Sequence, residues 1–88
     1  MSTKNTATLL ITCPDQKGIV AGIADFLYQH SANILHADQH QDAENNLFLM
    51  RVEWDLTGAA LNNENFADKF SPLAKRFDMQ WQLKLSQK

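Results

Sequence analysis

The sequence has 88 residues and a mass of 10.0 kDa; 44% of its residues are hydrophobic and 20% are charged. This length predicts one small domain, because it leaves no room for a catalytic domain beside a regulatory one. The hydrophobic content is that of a folded globular chain and argues against intrinsic disorder. The formal net charge of −2 argues against nucleic-acid binding, which usually requires a basic surface.

The single cysteine, Cys13, cannot form a disulfide within the chain, which is typical of a reducing compartment. We interpret it as a small core residue, because no histidine is spaced to activate it as a nucleophile. No apolar run approaches the roughly 18 residues that a membrane span needs. The polar tail at residues 1–5 lacks the apolar stretch of a signal peptide. We therefore expect a cytoplasmic protein with no membrane partner, made of one domain over residues 1–88.

The first half of the chain predicts a strand, a helix and a second strand. Residues 6–13 alternate with period two and are apolar on both faces, which favours a central strand ended by Pro14. A turn follows, in which Asp15 can cap the next helix. That helix is predicted to have about 13 residues and to end near residues 30–31. Its apolar side carries Ile19, Ile23, Phe26, Leu27 and His30.

Residues 33–41 alternate again and predict a second strand. We expect one face of this strand to carry Ile34, His36, Asp38 and His40. Residues 42–46 form a hairpin loop, because asparagine tolerates the left-handed backbone that such loops need. Residues 47–55 are a third strand with one face formed by Phe48, Met50, Val52 and Trp54.

The remainder predicts a second helix and a last strand. Asn62 or Asn63 is placed to cap the helix. Its apolar stripe contains Pro72, so we expect a kink, or a restart capped by Ser71. Residues 78–86 then alternate as a strand. The stripe consists of Phe66, Phe70, Leu73 and Phe77.

The predicted order is βαββαβ, and the fold class is α+β. Right-handed crossovers give a ferredoxin-like sandwich, with a four-stranded antiparallel sheet and two helices on one of its faces. No helix covers the other face, although the strands carry apolar residues on both sides. We therefore expect a homodimer or a higher oligomer.

Many functions share this architecture, so specific residues must decide between them. Acidic residues on the strands argue against an RNA-recognition motif, and a lone cysteine argues against a heavy-metal chaperone. The two arginines, Arg51 and Arg76, do not follow the first strand as an acylphosphatase-like enzyme requires. The row His36, Asp38, His40 contains metal-ligand residue types, but it spans about 13 Å along a strand. That length is too great for three ligands of one ion, so we expect no metal site.

Two segments point to a known family. The run Cys13-Pro14-Asp15-Gln16-Lys17-Gly18, followed by an apolar helix, resembles the signature of the ACT domain family. Ala32-Asn33-Ile34 resembles the start of that family's second strand. Together with Asp38-Gln39-His40, Met50-Arg51 and Phe77-Asp78-Met79, these segments are similar to the N-terminal ACT domain of formyltetrahydrofolate deformylases, from about Thr8 to Leu85.

This resemblance implies a regulatory domain that senses small molecules and dimerises. It also implies a parent hydrolase that converts 10-formyltetrahydrofolate and water to formate and tetrahydrofolate, balancing one-carbon pools and supplying formate for purine synthesis. The catalytic residues of those enzymes lie in a separate formyltransferase-like domain. We therefore expect no catalytic residue and no cofactor in this chain. The alternatives are a stand-alone ACT-domain regulatory protein acting through protein partners, or a small enzyme with this fold.

The resemblance also implies an amino-acid effector, such as glycine or methionine, at a subunit interface beside the first strand–helix loop. The physical chemistry of that loop agrees, because Asp15 can accept from an ammonium group and the helix N–H groups can hold a carboxylate. Gly18 permits a close approach to the backbone. The alternative is that Asp15 only caps the helix and Gly18 only permits tight packing. The effector-site residues are predicted to be Asp15, Gln16, Lys17, Gly18 and Ile19, with Asn33 and Ile34 from a neighbouring subunit.

Overall fold

Six elements follow one another in the computed structural model, which describes residues 5–57, 61 and 65–86. Their order is βαββαβ, so the predicted ferredoxin-like fold class is confirmed. Neither helix among the described residues is long and apolar enough to cross a membrane. The elements are β1 (Thr6–Pro14), α1 (Ile19–Gln29), β2 (Asn33–Asp42), β3 (Leu47–Asp55), α2 (Phe66–Phe77) and β4 (Gln80–Ser86).

The four strands form one sheet in the order β2-β3-β1-β4, and every neighbouring pair is antiparallel. The central position predicted for β1 is confirmed. Its residues alternate between buried side chains under the helices and half-buried ones on the other side. We call that other side the open face. It consists of Thr6, Thr8, Leu10 and Thr12 of β1 and the residues opposite them on the other strands.

A bulge interrupts β2 and corrects one expectation. Ile34 lies opposite Trp54, a fully buried residue under the helices, whereas His36 lies opposite Glu53 on the open face. The extra residue between them, Leu35, shifts the register by one position. The prediction that Ile34 shares a face with His36 is therefore wrong. The register does place the rest of the predicted row, Asp38 and His40, on the same face as His36.

The core is built around aromatic rings. Phe66 stacks on Phe70 with 5.0 Å between ring centroids, and on Trp54 with 5.9 Å. Phe26 of α1 and Trp81 of β4 meet these rings edge to face. The predicted burial of the phenylalanine stripe on α2 is thus confirmed for Phe66, Phe70 and Phe77, and the cluster also draws in α1 and β4.

The two helices approach each other closely at Gly22. A Cβ atom added to Gly22 would lie 3.1 Å from Cε2 of Phe77 and 3.3 Å from Cδ1 of Leu73. Real Cβ contacts are rarely this short, so the absence of a side chain allows α1 to rest on the ring of Phe77. This contact fixes the spacing between the helices near the start of α1.

The ends of α2 differ in part from expectation. The helix runs without interruption through Pro72, so the predicted restart at Ser71 does not occur. The residue before the helix is Asn65, and the predicted caps Asn62 and Asn63 lie outside the described residues. At the other end, Asp78 adopts a left-handed conformation with φ 56° and terminates the helix.

The β2–β3 hairpin confirms the predicted loop. Asn46 takes a left-handed conformation with φ 54°, as its residue type allows. The side-chain amide of Asn45 donates to Oδ2 of Asp42 over 2.8 Å, and the backbone N–H of Asn45 donates to Oδ1 of the same carboxyl. These two hydrogen bonds lower the pKa of the Asp42 carboxyl. The hairpin places the end of β2 at the same end of the sheet as the end of β1, because Asp42 and Pro14 pair with Leu47 from its two sides.

We predict that Gly22→Val destabilises the fold, because its side chain must displace Phe77 or Leu73. Overpacking of this kind costs about 1–3 kcal/mol. Ala21→Val on the exposed side of the same helix is the matched control, and it should cost only the difference in helix propensity, about 0.5 kcal/mol. Urea unfolding measures both values. Equal losses in the two variants would contradict the packing role of Gly22.

Cys13 is buried as predicted, and its burial raises the pKa of the thiol, with smaller contributions from the carboxylates of Asp15 and Asp78. The unfolded chain releases this proton near pH ~8.5, whereas the folded chain retains it to higher pH. Stability therefore falls as the pH rises above that value. We expect Cys13→Ala to lose less unfolding free energy than the wild type between pH 7 and pH ~9.5 in urea titrations. An identical alkaline loss in both proteins would refute this assignment.

Candidate functional site

The loop from Asp15 to Gly18 joins β1 to α1 and carries most of the predicted site residues. Gly18 has φ +90°, a left-handed conformation that side chains rarely adopt. It is the residue from which α1 starts, and its carbonyl accepts the first helical hydrogen bond, from the N–H of Gly22 at 2.9 Å. The N–H groups of Ile19, Val20 and Ala21 therefore have no acceptor within the helix.

Asp15 does not cap α1, contrary to one of the two roles predicted for it. No side-chain hydrogen bond caps this helix, and its first turn contains no acidic residue. The Asp15 carboxylate instead accepts from Nε2 of Gln41 on β2, at 3.3 Å and 3.2 Å for its two oxygens. The backbone N–H of Asp15 donates to the carbonyl of Asn46 over 2.9 Å. The loop is thus tied to the β2–β3 hairpin, and the N-terminus of α1 is left uncapped.

An open depression of about 410 Å³ lies between this loop, the start of α1 and the end of β2. Its floor includes the buried ring of Phe48. An uncapped helix N-terminus attracts anionic groups, and the Asp15 carboxylate attracts cationic ones. The depression therefore offers both signs of charge to one small ligand. Its lining residues are Asp15, Gln16, Gly18, Ile19, Val20, Ala21, Gln39, His40, Gln41 and Phe48.

Most of the predicted loop residues line this depression, but two predicted residues lie far from it. Lys17 is exposed and belongs to the same loop without lining the depression. Asn33 and Ile34 stand at the opposite end of β2, opposite Asp55 and Trp54. Gln41 lies eight positions after Asn33 along β2, a distance of roughly 26 Å. Within one chain, therefore, Asn33 and Ile34 do not join the other predicted residues.

The β2 wall of the depression, formed by Gln39, His40 and Gln41, was absent from the sequence-based prediction. These residues were predicted to lie on a strand, but not beside the loop. The predicted hairpin contains part of the relevant signal, because a tight β2–β3 connection places the end of β2 next to the start of β3, where the end of β1 pairs on the other edge of β3. That inference also needs the strand order, which the local pattern does not supply.

A second shallow depression of about 400 Å³ lies on the open face. Its surface is mainly apolar and centres on Leu10 and Leu49, with Asp38 directly opposite Arg51 at its rim. The predicted row of metal-ligand residue types lies along this face. Across the part of the chain that the structure describes, no three histidine, cysteine or carboxylate side chains come close enough to hold a metal ion.

Comparison with known proteins gives a consistent result. The family model of the ACT domain matches residues 7–73. A formyltetrahydrofolate deformylase from Synechocystis sp. is 51% identical over 92% of this chain, and one from Bacillus subtilis is 39% identical over 89%. The crystal structure of a formyltetrahydrofolate deformylase from Pseudomonas syringae pv. tomato superposes with a TM-score of 0.89 and 34% identity over 93% of this chain.

The match covers only part of each relative. The chain spans 28% of the Synechocystis protein, 26% of the Bacillus protein and 28% of the Pseudomonas chain. The residues matched by the family model include the loop and every residue that lines the depression. This chain belongs to the ACT domain family, and its relatives within that family are the N-terminal regulatory domains of formyltetrahydrofolate deformylases.

Proposed function

We propose that this chain is the amino-acid-sensing and dimerisation domain of a formyltetrahydrofolate deformylase. The observation that carries the proposal is the meeting of the Asp15 carboxylate and the uncapped N-terminus of α1 in one depression. An α-amino acid presents an ammonium and a carboxylate on neighbouring carbons. Asp15 accepts from the ammonium, and the N–H groups of Ile19 and Val20 donate to the carboxylate.

Glycine and methionine are the candidate effectors. The depression has a volume of about 410 Å³, which exceeds the need of glycine and leaves room for a longer side chain beside Val20 and Phe48. Its open side needs a further wall if the ligand is to be enclosed. A second subunit supplies that wall in the arrangement that follows.

The surface favours a dimer in which the β2 edges of two copies pair. We call Val20, Ala24, Tyr28, Ile34 and Ala37 the α1–β2 flank. Val20, Ala24 and Tyr28 recur every four residues on α1, and Tyr28 is 83% exposed. Ile34 and Ala37 lie on the helix side of β2 and are exposed. This flank presents apolar surface beside a strand edge that pairs with no other strand of the described chain.

Antiparallel pairing of two β2 strands also gives a role to the two distant predicted residues. With Asn33 at one end of β2 and Asp42 at the other, a two-fold axis at the middle of the strand brings opposite ends together. Asn33 and Ile34 of the second copy then lie beside the depression of the first. Each effector site is closed by the neighbouring subunit.

The open face is a poorer dimer surface. Leu10 and Leu49 are its apolar residues, and charged or polar side chains surround them. This composition suits a solvated surface better than a buried one. We therefore assign dimerisation to the α1–β2 flank.

In the complete enzyme, a separate catalytic domain removes the formyl group from 10-formyltetrahydrofolate with water. The ACT domain formed by this chain adjusts that activity to the amino-acid supply. The setting is cytoplasmic one-carbon and purine metabolism. The second candidate function is a stand-alone ACT-domain regulator that acts through a protein partner. That second function requires the exposed α1–β2 flank to bind a different protein rather than a second copy of this chain.

We predict that Asp15→Asn weakens the binding of glycine and L-methionine in calorimetric titrations by at least about tenfold, because a charge-assisted hydrogen bond to the ammonium is lost. Glu44→Gln in the exposed hairpin turn removes the same charge at a distance and should leave the affinity unchanged. If neither amino acid nor any other α-amino acid binds the wild type, the sensing function is excluded and only dimerisation remains.

We predict that Ala24→Lys converts the dimer to a monomer in sedimentation experiments, because it places a charge within the α1–β2 flank. Leu49→Lys places the same charge at the centre of the open face and should leave the dimer intact. The reverse result, with Leu49→Lys dissociating the dimer, would show that the subunits pack face to face through their sheets.

A further inference from the structure

Gln16 makes a contact that the sensing function alone does not explain. Its side-chain amide nitrogen, Nε2, donates to the carbonyl of Pro14 over 2.9 Å and to the carbonyl of Phe77 over 3.0 Å. A glutamine amide carries two hydrogens, so both are used. Gln16 was predicted to contact the effector, but its nitrogen has no hydrogen left to donate to a ligand.

The acceptor on α2 is a carbonyl that the helix itself leaves free. Phe77 is the last residue of α2, and the last carbonyls of a helix have no partner within it. The N–H of Met79 donates to Ala74 over 2.8 Å, and the N–H of Asp78 donates to Lys75 over 3.4 Å. Those two bonds close the end of the helix but leave the Phe77 carbonyl to Gln16.

The ring of Phe77 packs against the end of the same loop and the start of α1. Its Cζ would lie 3.9 Å from a Cβ on Gly18 and its Cε2 would lie 3.1 Å from a Cβ on Gly22. Phe77 therefore touches the start of α1 with its ring, while its carbonyl holds Gln16 in the preceding loop. The other hydrogen bonds of the loop, from Asp15, reach the β2–β3 hairpin on the opposite side.

We propose that Gln16 is a positioning residue that fixes the effector loop to the C-terminal end of α2 and thereby sets the affinity for the amino acid. The inference rests on the proposed sensing function. The loop is held between two supports, the hairpin on one side and α2 on the other. Coupling between two sites is reciprocal. Effector binding therefore also affects the connection between α2 and β4, residues 78–79, through this hydrogen bond.

Three substitutions at Gln16 separate hydrogen bonding from packing. Gln16→Glu keeps the length but offers carboxylate oxygens to two carbonyls, and Gln16→Met keeps the length without any donor. Gln16→Lys restores a donor at the C-terminal end of a helix, where a cation is favourable. Gln82→Glu and Gln82→Met, on the open face of β4, are the matched controls.

The first readout needs no ligand. In the full 88-residue chain, Gln16→Met and Gln16→Glu should shift the NMR resonances of the Phe77 carbonyl and of the Asp78 and Met79 amides, as well as those of Gly18 and Ile19. Gln16→Lys should return them toward the wild-type positions, and the Gln82 controls should leave them unmoved. Unchanged resonances at Phe77 and Asp78 in Gln16→Met would overturn the proposal.

The second readout is the affinity for glycine and L-methionine. We expect Gln16→Met and Gln16→Glu to weaken binding by about fivefold, the size of one lost hydrogen bond, and Gln16→Lys to recover most of it. An affinity within twofold of the wild type in Gln16→Met would overturn the positioning role. If the wild type binds no amino acid, the sensing function fails by itself, and the ligand-free resonances decide whether Gln16 positions the loop.

Discussion

The contact of Phe77 with Gly22 of α1 and with Gly18 just before that helix is the constraint on which the candidate site depends. With no side chain at Gly22, α1 settles onto the aromatic ring, and a Cβ there would lie 3.1 Å from it. This approach sets where the helix begins, and the left-handed Gly18 then directs the chain from β1 into it. The contact with Phe77 fixes the position of the start of α1. That position brings together the uncapped N–H groups, the Asp15 carboxylate and the wall formed by β2.

The element order follows from the sequence because each element carries its own period. The alternation from Phe48 to Trp54 and the spacing of the aromatic residues on α2 are local, and burial confirms both. The bulge at Leu35 is not local in this sense, because it is visible only in the pairing of β2 with β3. A strictly alternating interpretation therefore placed Ile34 on the wrong face.

The same distinction explains which half of the site could be predicted. Asp15, Gln16, Gly18 and Ile19 are consecutive or nearly so in the chain, and together they form a recognisable motif. The other half, including Gln41, comes from a strand 26 residues away from Asp15, and only the strand order brings it there. Asp15 has the residue type of a helix cap, but α1 starts three residues later, from Gly18, and the Asp15 carboxylate accepts from Gln41 instead. The local sequence pattern around Asp15 does not predict a hydrogen bond to a residue on β2.

The bulge divides β2 into two stretches in which the even-numbered side chains lie on opposite faces of the sheet. Before it, the even-numbered Ile34 faces the helices; after it, the even-numbered residues His36, Asp38 and His40 face away from them. A single extra residue thus places the exposed apolar side chain of Ile34 on the helix side of this edge strand and the polar side chains of His36, Asp38 and His40 on the open face. Related chains that gain or lose one residue here would exchange those two surfaces, and with them the subunit contacts available to the domain.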